Sequence, residues 1–285
     1  MPVILVGTCA WHDHANFYPA GLKPNQRLEY YARYFPVVEI DSTFYALQSP
    51  RNFAAWAQKT PDDFVFDVKA YRVITRHDQV PLDREELGYI LNRFRSSLHP
   101  LQEAGKLRSV LLQFPPSFVC NPRNTSYLAW CRDRLGELTV AVEFRHHSWF
   151  AGPNLEATIS LLEQIRAVHV ICDEPQVGTG CIPLVARVTH PGLAIVRLHG
   201  RNAEMWYKKG LKTSGERFNY LYSSRELADI LQEVLPLAER VAEMHILMNN
   251  NFGDYAVRNA LMVCEMLGKP VQVDHPSRGT LFPEI

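Results

Sequence analysis

Polar residues of catalytic type stand at or beside the ends of short apolar runs along this chain. They are Glu39, Asp41, Lys69, Gln113, Glu143, Arg145, Asp173, Arg197, His199 and Asn249. Carboxyl and imidazole groups can transfer protons, and lysine and arginine can bind phosphate or carboxylate groups. Buried strands do not need such side chains for packing. Their recurrence therefore predicts one shared site, but it does not identify a reaction.

Glu143 and His199 are the candidate acid–base pair, because a carboxyl group beside a low-dielectric wall and an imidazole can act as acid and base. Lys69 is the third candidate catalytic residue. If Arg145 or Arg197 crowded it, Lys69 could lose its proton and form a Schiff base, but nearby carboxylates would keep it protonated. We therefore favour Lys69 as an anion-binding or charge-neutralising group.

The other strand-end residues are predicted to bind a ligand, with Arg145 and Arg197 holding its anionic group. Hydrogen bonds would come from Glu39, Asp41, Gln113, Asp173 and Asn249, and the walls from Trp11, Phe44, Tyr45 and Tyr207. The structural alternative is a salt-bridge network that only fills space. Because buried ion pairs stabilise less than apolar packing, a ligand site is favoured.

A divalent-metal site is a further alternative, built from Glu143, Asp173 and His199. The nearby cations Lys69, Arg145 and Arg197 oppose it. We therefore predict no cofactor.

Eight apolar runs position these residues. They span Val3–Gly7, Val37–Asp41, Phe64–Lys69, Val110–Gln113, Thr139–Arg145, Val168–Asp173, Ala194–His199 and His245–Asn249. Helical segments are predicted at 50–56, 84–98, 154–166, 224–234 and 255–267. The alternation predicts a closed parallel (β/α)₈ barrel, whose active site lies where the strands end. The rival is an open doubly wound sheet, but residues 7–11 lack the G-x-G-x-x-G phosphate loop that it needs.

Composition fits one globular domain, predicted to span residues 1–285, with 47% hydrophobic and 21% charged residues. Thirty basic and 30 acidic residues give a net charge of +0, so no global field attracts polyanions. Six scattered cysteines form no Cys-x-x-Cys pair, which favours a reducing, cytoplasmic location. The first apolar run is too short for a signal peptide or membrane span.

A basic and aromatic segment follows the seventh run. Its cations are Arg201, Lys208, Lys209, Lys212 and Arg217, and its aromatic residues include Trp206, Tyr207, Phe218, Tyr220 and Tyr222. Barrels often bind phosphate after strands seven and eight, and mixed cationic and aromatic surfaces suit nucleic acid. The alternative is a solvated loop.

Several strings resemble the YecE-like family, a family of unknown function, along nearly the whole chain. They are Gly7-Thr8 with Trp11, Phe17-Tyr18-Pro19, residues 39–45 (EIDSTFY), Trp56, Thr60-Pro61, Asp63-Phe64, Val68-Lys69, Gln113-Phe114-Pro115-Pro116, Val142-Glu143-Phe144-Arg145, Ser148-Trp149, Arg197-Leu198-His199-Gly200, and Asn249-Asn250 before Asn259-Ala260. The resemblance implies a barrel similar to those of xylose isomerase and apurinic endonucleases, without implying an activity. The chain has Cys9-Ala10 where the family usually has Ser-Gly before its first tryptophan.

Three functional hypotheses follow. The leading one is an enzyme that performs acid–base chemistry on a phosphate-bearing or polyhydroxylated ligand. The second is a nucleic-acid-binding or processing protein that uses Arg201, Lys208, Lys209 and Lys212. The third is a non-catalytic small-ligand sensor. Neither membrane association nor a membrane partner is expected.

Overall fold

A computed structural model describes residues 2–78 and 80–273. Eight parallel strands close into a barrel in chain order, which confirms the predicted fold. The strands are β1 Val3–Cys9, β2 Val37–Ile40, β3 Val65–Lys69, β4 Leu107–Gln113, β5 Val140–Glu143, β6 Ala167–Asp173, β7 Leu193–Leu198 and β8 Glu243–Met248. β1 pairs with β8 from Val3↔Glu243 to Thr8↔Met248, so the sheet has no free edge. Residue 1, residue 79 and residues 274–285 of the predicted domain lie outside the described residues.

Helices surround the barrel and supply its outer layer. They are α1 Arg27–Tyr31, α2 Ser42–Tyr45, α3 Pro50–Gln58, α4 Arg84–Ser97, α5 His99–Glu103, α6 Pro122–Arg134, α7 Asn154–Gln164, α8 Ala203–Trp206, α9 Ser224–Val234 and α10 Tyr255–Met266. All five predicted helices are present. Among them, Ser49 caps α3 by accepting from the Arg51 amide at 3.2 Å.

Helix α6 has no counterpart in the sequence prediction, although its start carries recognisable signals. Asn121 accepts a hydrogen bond from the Asn124 amide at 2.9 Å, and Pro122 occupies the first turn. Both are typical of a helix N-terminus. Only four of its side chains are buried: Asn124, Tyr127, Leu128 and Cys131. A helix that buries so few apolar residues shows only weak apolar periodicity in its sequence.

The outer face of the sheet packs with apolar side chains, as parallel strands covered by helices require. Phe114, Phe118, Phe144 and Trp149 form a stacked aromatic group beside β4 and β5, with Phe144 and Trp149 centroids 4.0 Å apart. The inner face is unusually polar and contains several buried charges. The helices of the described residues are each too short or too polar to cross a membrane, and all six cysteines are free thiols.

Candidate functional site

Arg197 on β7 occupies the centre of the barrel and is fully buried. One guanidinium nitrogen donates to Glu143 Oε2, and the other donates to Glu39 Oε1 at 2.7 Å and contacts Cys9 Sγ at 3.4 Å. A buried guanidinium requires such charged partners to offset its desolvation. Arg197 thereby links β1, β2 and β5 at one level of the barrel.

Both carboxylate oxygens of Glu143, at the end of β5, accept hydrogen bonds. Its Oε1 lies 2.7 Å from Gln113 Nε2, 3.0 Å from Arg145 Nη1 and 3.2 Å from His199 Nε2. Burial would raise the pKa of Glu143, but Arg197 and His199 outweigh it and hold this pKa well below 4.5. Glu143 is therefore a carboxylate at neutral pH.

His199 lies next to Glu143 and is also fully buried. Asn249 Nδ2 lies 2.7 Å from its Nδ1. With Asn249 donating to Nδ1, the ring proton sits on Nε2, which lies 3.2 Å from Glu143 Oε1 and 3.1 Å from Arg145 Nη1. Burial lowers the pKa of His199 to about 3 despite the opposing effect of Glu143. The imidazole is therefore neutral at physiological pH.

A cavity of about 1100 Å³ opens above this buried layer, at the carboxyl ends of the strands. Its floor includes five of the predicted strand-end residues: Asp41, Lys69, Gln113, Arg145 and Asn249. Its walls include Phe44, Tyr45, Trp206, Tyr207 and Phe218. The other inward-facing candidates, Glu39, Glu143, Arg197 and His199, lie beneath the floor and do not line the cavity. Trp11 instead packs on Trp56 at a centroid distance of 5.4 Å.

Two cations reach the cavity floor. Arg145 Nη2 lies 3.0 Å from Glu174 Oε2, and the guanidinium carbon lies 5.1 Å from the Trp206 ring centroid. Lys69 Nζ lies 3.4 Å from Asp41 Oδ1 and 4.7 Å from the Phe44 ring centroid. Asp41 Oδ1 is buried, and Lys69 offsets its charge.

The charges around the floor do not balance. Burial raises the pKa of Glu39 to about 8, against the opposing effect of Arg197. Burial also raises the pKa of Glu174 to about 7, although Arg145 lowers it. Both carboxyl groups are therefore protonated for much of the time at neutral pH. Lys69, Arg145 and Arg197 then face two full negative charges, on Asp41 and Glu143, and the partial charges of Glu39 and Glu174, which favours an anion in the cavity.

Asp173 does not join this site, because side chains alternate along a strand. Cys172 pairs with Arg197 in the barrel register, so the next residue points outward. There the Asp173 carboxylate accepts from Arg201 at 2.7 to 3.1 Å and from Tyr222 Oη at 2.6 Å. Glu174 takes the inward position. Glu174 was not predicted as a site residue because it follows the apolar run. Its position two residues after Cys172 would have placed both side chains on the same face of the strand.

The predicted basic segment is divided between two environments. Arg201 is held by Asp173 and lies 3.5 Å from Glu226. Lys208 and Lys212 are exposed, whereas Lys209 lines the cavity. Tyr207 donates to the Val177 carbonyl at 2.9 Å and covers Gly180, where an added Cβ would lie 2.9 Å from its hydroxyl oxygen. An alanine at this position would displace the Tyr207 hydroxyl group.

Further cavity residues, including His77, Trp206 and Arg217, were not predicted as site residues. They lie on connections after β3 and β7 rather than at strand ends. Sequence periodicity does not indicate which loop folds over the mouth, so only the cationic and aromatic composition of residues 201–222 was informative.

A possible set of metal ligands differs from the predicted one. Ligand atoms of Glu143, Cys172 and His199 lie within 4.8 Å of one another. However, both Glu143 oxygens already accept from arginine, and burial raises the pKa of the Cys172 thiol well above 9. The arrangement therefore suits an internal ion network better than a metal centre.

Sequence comparison identifies relatives of this chain. The family described as "Protein of unknown function DUF72" matches residues 5–280. UPF0759 protein YunF of Bacillus subtilis (strain 168) is 38% identical over 269 residues, which cover 93% of this chain and 95% of that protein. UPF0759 protein YecE of Escherichia coli (strain K12) is 32% identical over 173 residues, covering 60% of this chain and 59% of that protein.

Solved structures of DUF72 family proteins superimpose on this chain. The DUF72 family protein EF0366 of Enterococcus faecalis V583 superimposes with a TM-score of 0.85 at 30% identity, covering 95% of this chain and 100% of that chain. The DUF72 family protein TM1631 of Thermotoga maritima MSB8 gives a TM-score of 0.80 at 33% identity, covering 93% and 99% of the two chains.

Proposed function

Because this chain belongs to the YecE-like DUF72 family of unknown function, as its sequence strings predict, we propose its activity from its own geometry: it is an enzyme that binds a small anionic ligand at the barrel mouth and performs acid–base chemistry on it. The ligand carries a phosphate or carboxylate group and hydroxyl groups. The observation that carries this proposal is the pair of cations, Arg145 and Lys69, at the floor of a cavity whose buried layer does not neutralise them.

Arg145 is the principal anion-binding group in this proposal. Its side chain is only 11% exposed, and Glu143, Glu174 and Trp206 fix its orientation. A guanidinium held in this way loses little side-chain freedom when an anion binds, so the interaction is preorganised. Lys69 adds a second positive charge from β3.

Neutral polar groups would hold the rest of the ligand. Gln113 and Asn249 line the cavity. The volume of about 1100 Å³ exceeds what a free phosphate needs and suits a larger metabolite. Tyr45 and Tyr207 are 66% and 50% exposed at the rim, where they can pack against a sugar or other ring.

Glu143 and His199 support this site from below. The acid–base role predicted for them from the sequence remains a prediction. Their contacts favour positioning, because Glu143 fixes Arg145 and Asn249 fixes the His199 ring. A ligand can reach either residue only if the floor side chains move.

Anion binding can be tested with sulfate and inorganic phosphate by isothermal titration calorimetry at low salt. We expect Arg145→Gln to weaken binding at least tenfold, since a hydrogen bond to a charged group contributes about 1.5–3 kcal/mol. Lys69→Gln should weaken it in the same direction. The matched control is Lys208→Gln, which removes an exposed cation that does not line the cavity. Equal affinity in all four proteins would refute the proposal.

Nucleic acid remains a second candidate ligand. Lys208 and Lys212 are exposed, and no carboxylate pairs with either lysine among the residues that the structure describes. Binding through these groups would weaken steeply with salt because phosphate contacts release counterions. If changing Lys208, Lys209 and Lys212 to glutamate leaves the binding of a single-stranded oligonucleotide intact, this candidate is excluded.

A further inference from the structure

One wall of the cavity contains a histidine that neither the sequence analysis nor the family resemblance singled out. His77 follows β3 and lines the cavity together with Lys69 and Phe44. Its ring meets the Phe44 ring edge to face at a centroid distance of 4.8 Å. Its backbone amide donates to the Arg72 carbonyl at 3.0 Å, which closes the turn formed by residues 72–77.

The hydrogen bonds of Thr75 determine the tautomer of this ring. Thr75 Oγ1 lies 3.3 Å from the Arg72 carbonyl oxygen and 2.8 Å from His77 Nδ1. When the hydroxyl donates to the Arg72 carbonyl, Nδ1 donates its own proton to Thr75. The lone pair is then on Nε2, which makes no hydrogen bond to another described residue. A base oriented by a neighbouring group is the usual arrangement for proton transfer.

The turn that carries His77 is strained and firmly anchored. Arg76 has a φ of 60°, in the left-handed region that is unfavourable for a non-glycine residue. Its guanidinium carbon lies 3.6 Å from the Tyr127 ring centroid on α6, and Tyr127 donates to the Ile74 carbonyl at 2.7 Å. Strain that surrounding contacts maintain is characteristic of functional sites.

We propose that His77 is the proton-transfer residue of the cavity and that Thr75 positions its ring. This inference rests on the proposed function. Nε2 takes a proton from a ligand hydroxyl group, the O–H electron pair stays on the ligand oxygen, and the imidazolium can return the proton in a later step. Anion binding should favour this proton uptake, because it offsets the positive charge of Lys69 and Arg145.

The charges around His77 explain why anion binding should favour proton uptake by this residue. Burial, together with Lys69, Arg72 and Arg145, lowers the pKa of His77 to about 4, whereas Asp78 raises it. Neutralising the two cavity-floor cations with a ligand removes part of this repulsion. The proton affinity of His77 then rises, whereas that of a histidine remote from the cavity stays constant.

NMR of histidine-labelled protein tests the inference, with sulfate as the probe because its charge does not change over the titration. We expect saturating sulfate to raise the proton affinity of His77 about tenfold. His99, exposed on α5, serves as the internal reference and should not respond. Bound sulfate without a response at His77 would overturn this inference alone. If sulfate does not bind, the proposed function itself fails.

The positioning role of Thr75 has a separate spectroscopic readout. In Thr75→Val, the ring ¹⁵N shifts of His77 should indicate a mixture of tautomers, and Thr75→Ser should restore the Nδ1-protonated form. Unchanged nitrogen shifts in Thr75→Val would contradict this role. If the valine variant does not fold, the serine variant still tests the assignment, since loss of the Nδ1-protonated form there would also contradict it.

Discussion

At the scale of single residues, the end of β1 shows how backbone geometry constrains the mouth of the barrel. Ala10 has a φ of 69°, which favours glycine, and it is buried where β1 reaches the cavity. Its amide donates to the Glu39 carbonyl at 2.9 Å, and its carbonyl accepts from Thr8 Oγ1 at 2.7 Å. These bonds hold the left-handed conformation.

We predict that Ala10→Gly has little effect on stability, within about 0.5 kcal/mol. Relief of about 1–2 kcal/mol of backbone strain offsets the lost methyl burial and the greater freedom of the unfolded chain. The matched control is Ala141→Gly, on a regular part of β5, which should cost about 1–2 kcal/mol. Urea denaturation measures both variants. Equal losses of stability would show that the φ of Ala10 is not strained.

At the scale of secondary structure elements, side chains from neighbouring strands cap the surrounding helices. Lys106 directly precedes β4 and is 4% exposed. Its Nζ donates to the Ala57 carbonyl at 2.6 Å, the Thr60 carbonyl at 2.8 Å and Thr60 Oγ1 at 3.1 Å. Helix α3 ends with unpaired carbonyl groups that need such donors, and its dipole favours a cation there.

We predict that Lys106→Met lowers the free energy of unfolding by about 1–3 kcal/mol, because buried carbonyl groups at the end of α3 lose their donor. Lys59→Met is the control. Lys59 Nζ donates to the Asn25 carbonyl at 2.9 Å, but the residue is exposed, so we expect a change within about 0.5 kcal/mol. A stable Lys106→Met protein would indicate that water replaces the ammonium group.

At the scale of the whole molecule, the barrel interior consists of charged layers rather than the bulky apolar layers common in this fold. Near the amino ends of the strands, His245 Nδ1 lies 2.6 Å from Asp67 Oδ2, and its Nε2 lies 2.7 Å from Glu243 Oε1. Arg197 and its carboxylates form the next layer, and the cavity floor lies above them. Ion pairs through the interior thus connect β3 with β8, and β7 with β2 and β5.

We predict a stability loss at alkaline pH that depends on His245. Burial alone would lower its pKa, but Asp67 and Glu243 raise it to about 9 from 6.5. The stabilisation, of about 3 kcal/mol, is fully present below pH 6.5 and disappears as the pH rises through about 9. Denaturation of wild type and His245→Gln from pH 6 to 10 should show their difference shrinking with pH. A constant difference would contradict a charged His245.

The sequence by itself determined the architecture and the kinds of residues at the mouth. Eight apolar runs, each followed by a helix signal or connection, predict a parallel barrel, and the polar residues at their ends converge inside it except for Asp173, which points outward. The lengths were accurate to a few residues: β4 begins at Leu107 rather than Val110, and β5 ends at Glu143 rather than Arg145. These features are local, so periodicity along the chain encodes them.

Only the tertiary structure decided how deeply each polar side chain is buried, which way it points, and which loops line the cavity. Glu143 and His199 lie under the floor because Arg145, Gln113 and Asn249 from three strands cover them. Their pKa values follow from that burial and from charges distant in sequence. His77 reaches the cavity because α6 anchors a strained turn. Such properties depend on contacts among many elements that are distant in sequence, so the spacing of residues within one segment cannot predict them.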